Sequence, residues 1–316
     1  VGADAFASDL NPIPVLINKV VLEYIPMYGQ RLADEVRKWG EWIKCEAEKE
    51  LAEFYPKDSD GATPIAYLWA RTILSEAPGG GDIALEVPLM KSLWLAKKSG
   101  RYRALRWVRD QKGKVQTRIV KVSYADGVTR KVRRPIFEIF EPASINDVET
   151  GTVARGHVTC PVTGYTTKVE RVRAQLKTRR GGSYDALMFC VVVTHPNTDG
   201  RSYRLPTARD EGSARSASMT LAERIKAHKG KSPSLVPDEV ISLNELRRIS
   251  VPIYGIETWG DLFTPRQALA LTTLARLVND VGSILAEERN AVSSTSVETT
   301  SKGLAYAVQT CLAFFP

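Results

Sequence analysis

Thiols and imidazoles are scarce. Four cysteines, Cys45, Cys160, Cys190 and Cys311, stand far apart in the chain, with three histidines, His157, His195 and His228. Without a Cys-x-x-Cys pair there is no zinc-ribbon knuckle set, which needs four soft ligands. Cys160-Pro161-Val162-Thr163-Gly164 keeps a knuckle's frame with one thiol. His157 nearby does not complete a site. Nor do the cysteines make a disulfide framework, so the reducing cytoplasm is the simplest compartment. There is no Gly-x-Ser-x-Gly elbow and no coupled Cys–His pair. Gly79 to Gly81 lacks the Lys and Ser/Thr of a phosphate-binding loop and reads as a plain turn. No signal-peptide pattern is visible, and apolar runs such as Leu187 to Val193 are too short to span a bilayer, so no membrane partner is expected.

Positive charge is in excess. The 316 residues carry 44 Lys or Arg against 36 Asp or Glu, a net charge of +8. Length suggests roughly two domains. The basic excess points to a polyanionic partner, nucleic acid first. It is concentrated between Lys97 and Arg134, where fourteen Lys or Arg face only Asp110 and Asp126. Alternation around Val115 to Val120, and the turn Ala125-Asp126-Gly127, make this tract a basic β-meander. Tyr102, Trp107 and Tyr124 interleave with the charge. Two readings stand side by side: a solvated basic face over core aromatics, and a phosphate-gripping surface whose aromatics stack on bases. The residues picked as contacts are Lys97, Lys98, Arg101, Arg103, Arg106, Arg118, Arg133 and Arg134.

Around this tract the chain alternates helix and strand signals. Residues 5 to 9 read as a short buried strand. Pro12 to about Glu23 reads as a helix, apolar on most sides and so expected to be buried. Gln30 to Phe54 repeats apolar residues at three and four, the mark of a long amphipathic helix. Tyr67 to Leu74, Gly151 to Cys160 and Tyr184 to His195 read as strands, and Ala208 to His228 as a polar helix. Residues 251 to 263 end in a strand-like segment. Thr264-Pro265-Arg266-Gln267 then opens a helix by the capping-box rule. Asp9 and Asp261 are thus acids expected at strand ends ahead of helices. Such positions line the ligand crevice of an open α/β sheet, where a carboxylate can hold ribose hydroxyls. The plain alternative for Asp9, with Asn11 capping and Pro12 in the first turn, is a helix cap; for Asp261 it is a turn acid.

Several order-preserving strings resemble one family. They are Ala7-Ser8-Asp9-Leu10-Asn11-Pro12 with Val15 to Lys19, Glu53-Phe54-Tyr55-Pro56 with Gly61 to Thr72, Leu89 to Lys98, Val172-Arg173-Ala174-Gln175, Tyr203-Arg204-Leu205-Pro206 and Trp259 to Gln267. The chain is similar, with gaps from about residue 1 to 290, to the large prokaryotic adenine-specific DNA methylases that contain a zinc ribbon. The resemblance implies an S-adenosylmethionine-dependent N6-adenine methyltransferase acting on double-stranded DNA. The target base is flipped from the duplex and its amino group attacks the cofactor's methyl. The family's glycine-rich loop precedes, and its Asp-Pro-Pro-Tyr-type motif follows, the stretch seen here. A fragment is therefore expected, with no catalytic residue assigned. The ribose-side acid carries over onto Asp9, with Leu10 and Asn11 beside it, and the adenine-side acid onto Asp261. The ribbon's thiols would fall at Ser75, Gly80, Cys160 and Thr163, so zinc is not expected.

The expected fold is α/β, a partial Rossmann-like methyltransferase core interrupted by a basic, β-rich, degenerate zinc-ribbon-like insertion. Core segments are assigned to 1–28 and 251–316, and the insertion to 29–250. The rival functional reading is a non-catalytic nucleic-acid-binding protein, or a partner subunit of a defence complex, derived from such a methylase.

Overall fold

The computed structural model describes residues 6, 8–78, 81–98, 101–124, 127–179, 185–196, 198–230, 232–245, 247, 249–292 and 298–314. The protein is mixed α/β, and every strand-to-strand ladder among the described residues is antiparallel. It divides into two compact units, one of residues 1–53 with 269–316 and one of residues 54–268.

The first unit is helical. Helix α1 (Pro12–Lys19) passes through a π-helical turn, Val20–Tyr24, into α2 (Ile25–Leu51). Pro26 explains the wide turn: it has no N–H to bond one turn back, and its ring crowds that carbonyl. Gly29, at φ 50° and ψ −131°, makes a kink just after it. The amphipathic stripe on α2 buries Leu32, Trp39, Ile43 and Ala47. In one cluster they meet Leu277, Val278 and Val281 of α5 (Pro265–Val292) and Leu304, Val308 and Leu312 of α6 (Glu298–Ala313). Within α5, Pro265–Glu287 is long and apolar enough to cross a membrane by length and composition. Its inner face is the one packed in this cluster.

Two expectations for the N-terminus fail. Helix α1 buries no residue, and Ile13, Leu16, Ile17, Val21 and Leu22 are all exposed. The strand expected at residues 5 to 9 is not formed at Phe6, Ser8 or Asp9, and its remaining positions lie outside the described residues. Apolar composition indicates burial only where another element covers the face, and α1 has no such cover among the described residues.

The second unit is built on sheets. Strands β1 (Thr63–Leu74), β2 (Glu86–Pro88), β3 (Trp94–Lys98) and β4 (Arg101–Trp107) are followed by β5 (Thr117–Ser123), β6 (Thr129–Pro135) and β7 (Phe137–Phe140). Three short strands, β8 (Val153–Ala154), β9 (His157–Thr159) and β10 (Thr166–Thr167), precede α3 (Val169–Arg179). Then come β11 (Ala186–His195), β12 (Thr198–Arg204) and α4 (Ala208–His228). The main sheet runs β12-β11-β1-β2. Leu187, Met188 and Cys190 to Val193 are all buried along β11, the mark of a strand covered on both faces.

The basic meander proves to be two structures. Strands β3, β4 and β7 form one sheet, while β5 and β6 form a separate two-stranded ribbon. The turn residues Ala125 and Asp126 lie outside the described residues; around them Ser123 pairs with Thr129. The knuckle-like segment is a tight turn, closed by Gly164 N–H to the Cys160 carbonyl (2.9 Å) and Cys160 N–H to the Tyr165 carbonyl (2.9 Å). The Cys160 side chain is buried among Ile73, Val87, Val158 and Leu176. Residues 251 to 263 form two 3-10 turns, Val251–Tyr254 and Trp259–Leu262, instead of the expected strand-like segment.

Candidate nucleic-acid interface

The ribbon's register sorts its side chains onto two faces. Opposed pairs run Arg118–Arg134, Ile119–Arg133, Val120–Val132, Lys121–Lys131, Val122–Arg130 and Ser123–Thr129. Alternate pairs share a face. One face carries Val132, fully buried, with Val120, and is the packed side. The other presents Ile119, Lys121 and Lys131 to solvent. Like charges directly opposed weaken a hairpin. Here neither Lys121 nor Lys131 has an acidic partner among the described residues.

The packed side is tied down by a buried acid. Glu86 on β2 is 1 % exposed and accepts from Arg134 Nε (2.7 Å), Tyr124 OH (2.8 Å) and Thr72 OH (2.9 Å). Arg179 stacks on the Tyr124 ring at 4.4 Å and donates to the Thr72 carbonyl at 2.9 Å. Burial, then the Glu86 charge beside it, push the Tyr124 phenol well above its usual range. It stays a neutral donor to the carboxylate.

This geometry divides the predicted contacts. Arg134 is spent on Glu86. Arg103 pairs with Glu141 at 2.8 Å, and Arg106 pairs with Glu138 at 2.7 Å and lies over the Phe140 ring. Arg133 donates to the Ile83 carbonyl at 3.3 Å, and Lys97 sits 5.4 Å from the centre of the Trp94 ring. Lys98, Arg101 and Arg118 are exposed and pair with no acid among the described residues. Lys98 and Arg101 are register partners at one end of the β3–β4 hairpin. Selection from sequence passed over Lys121 and Lys131. The signal was available: counting outward from the three-residue turn Ala125-Asp126-Gly127 puts the two lysines opposite each other.

The interleaved aromatics are mostly core. Trp107 and Tyr124 are buried, and Tyr102 packs edge-on against Trp94 at 5.6 Å. Among the described residues, the basic tract therefore presents no exposed aromatic row of its own.

The acids assigned to the cofactor occupy ordinary turns. Asp9 accepts the Asn11 N–H at 2.8 Å, and Asn11 in turn caps α1 by accepting the Ile13 N–H at 3.0 Å. Phe6, Asp9, Leu10 and Asn11 are exposed, Leu10 completely. Asp261 closes a capping box with Thr258, its carboxylate accepting the N–H of Glu257 (3.0 Å) and of Thr258 (2.8 Å). It belongs to the unit of residues 54–268 and Asp9 to the other. The Asp9 carboxylate and the Asn11 amide oxygen are thus engaged with local backbone N–H groups. No group of three or more His, Cys, Asp or Glu suited to a metal occurs among the described residues. Comparison with protein-family models, curated proteins and solved structures returned no match.

Proposed function

We propose that this chain binds DNA through the unit of residues 54–268 and belongs to an adenine-N6 DNA methyltransferase whose transfer chemistry resides outside these 316 residues. One observation carries the binding half: charge is partitioned between the units. Residues 54–268 hold 35 Lys or Arg against 22 Asp or Glu, a net +13. The helical unit holds 9 against 14, a net −5. The positive unit carries the ribbon, where Arg118, Lys121 and Lys131 pair with no acid among the described residues, and Lys98 and Arg101 on the β3–β4 hairpin. Such cations displace counterions from a phosphate backbone and give affinity independent of sequence. The methyltransferase half rests on the resemblance of the quoted strings.

A second reading, a non-catalytic nucleic-acid-binding relative, is favoured by Asp9 and Asp261, whose carboxylates are already committed to backbone N–H groups. The experiment common to both is affinity for duplex DNA across a salt series. A steep linear fall of log affinity with log salt is expected. Affinity unchanged between low and moderate salt would sink both readings. Measurable binding of labelled S-adenosylmethionine in equilibrium dialysis would favour the enzyme over the relative.

A further inference from the structure

Arg266 is 4 % exposed and has no carboxylate partner among the described residues. Its guanidinium lies 3.6 Å from the centre of the Tyr67 ring and 4.9 Å from that of Tyr55, and Nη1 donates to the Phe54 carbonyl at 3.1 Å. Ring faces and one carbonyl only partly offset a desolvated charge. An anion brought to Arg266 would complete it.

Space for one is adjacent. Arg266 lines a cleft of about 500 Å³ between the ribbon, α4 and the main sheet, within the size range of small-molecule sites. Lys121 and Arg215 also line it; both are exposed, and neither pairs with an acid among the described residues. Arg134 is there too, but Glu86 neutralises it. Glu211 is the one acid in the lining. The apolar wall is Trp69 with Met188, register partners on β1 and β11, and Leu187 beside them. A half-buried indole next to three cations is what a phosphate joined to a flat base requires. Glu211 can accept from an exocyclic amino group on that base. Lys121 belongs both to the ribbon's open face and to the cleft, so a strand following the ribbon arrives there.

We infer that this cleft holds one unpaired nucleotide of a DNA strand, its phosphate at Arg266, Lys121 and Arg215 and its base against Trp69 and Met188. The inference rests on the nucleic-acid reading above and names what that surface delivers. Fluorescence anisotropy with the full chain tests it on three probes: a fully paired duplex, the same duplex with one extrahelical nucleotide, and a single strand of equal length. The unpaired nucleotide is expected to tighten binding about fivefold or more, the lower end of what one stacked base contributes. Ser218→Trp fills the cleft from α4 without replacing a cation. It should abolish that gain and leave the paired duplex within about twofold. Ala214→Phe, one turn earlier on the same helix, is the second blocking variant if the first does not fold by circular dichroism. No gain from the unpaired nucleotide, or a gain that survives a folded blocking variant, overturns the inference. So does a free 5′-mononucleotide that competes at the concentration of the bulged duplex, because it assigns the cleft to a soluble ligand. Failure to bind any of the three probes removes the nucleic-acid reading itself. Binding to the paired duplex with no further gain removes only the cleft.

Discussion

At the scale of residues, two acids hold the second unit together by different means. Glu86 compensates Arg134, whose side chain is 11 % exposed, inside a hydrogen-bonded group that includes Tyr124 and Thr72. Glu86→Ala would leave that guanidinium buried without its counter-charge. Loss of one partner of a buried pair costs about 3–5 kcal/mol. Urea unfolding is expected to show a loss of that order for Glu86→Ala and a smaller one for Glu86→Gln, which keeps an acceptor. Equal losses would show that the charge is unimportant. Asp210 works through pH. Burial pushes its carboxyl up, but hydrogen bonds from Arg204 (2.6 Å), the Thr207 backbone (2.8 Å) and the Thr207 hydroxyl (2.7 Å) together outweigh burial and hold it below its usual range. A depressed folded-state pKa stabilises the protein above the unfolded value, about 3.9 for Asp, and the benefit disappears as pH falls through the folded value. Thermal melts should therefore show wild type above Asp210→Asn at pH 7, with the gap closing below about pH 4. A gap independent of pH would mean that Asp210 acts by packing alone.

At the scale of elements, the ribbon trades its own stability for charge. Lys121 and Lys131 oppose each other across β5 and β6, an arrangement that weakens a hairpin. Replacing both by Ala is expected to leave the melting temperature unchanged or slightly raised. The same change should lower the salt slope of duplex binding by about 2, one for each lost phosphate contact. An unchanged slope would place the DNA elsewhere. Local chemistry made much of this unit legible beforehand. Thr264 and Gln267 form the expected box at the start of α5, with the Thr264 N–H to Gln267 at 2.9 Å and the Gln267 N–H to Thr264 at 3.3 Å. Helix α4 spans Ala208–His228, the range its pattern indicates. Illegible were the features that depend on what lies across from a residue. Fourteen cations in one tract look alike in a string. Only the fold shows Arg103, Arg106 and Arg134 facing acids, while Lys121 and Lys131 face each other. Asp261 looked like a strand-end acid because Ile253, Tyr254 and Ile256 favour strands, yet prolines and glycines around them set two 3-10 turns instead. Neither Arg266 nor Trp69 gave any local sign of the cleft they share.

At the scale of the whole molecule, the even-looking charge of +8 conceals a division, +13 on residues 54–268 and −5 on the helical unit. A uniform basic protein would meet a polyanion with any face. A divided one is oriented by its field before contact, since the acidic unit is repelled as the basic one is drawn in. The acidic unit also pairs several of its own cations. On α2, Lys44 bonds Glu41 at 2.8 Å and Lys49 bonds Glu46 at 2.6 Å, and these contacts raise both ammonium pKa values. The lysines of the basic tract at 98, 112, 114, 121 and 131 have no such partners among the described residues. Lysine acetylation read by mass spectrometry turns the division into a measurement. Saturating duplex DNA is expected to protect Lys98, Lys121 and Lys131 in the full chain and to leave Lys38, Lys44 and Lys49 as reactive as in free protein. High salt should erase the protection by screening the contacts that cause it. Protection spread evenly over both units would show that net charge alone, and not its placement, governs the encounter.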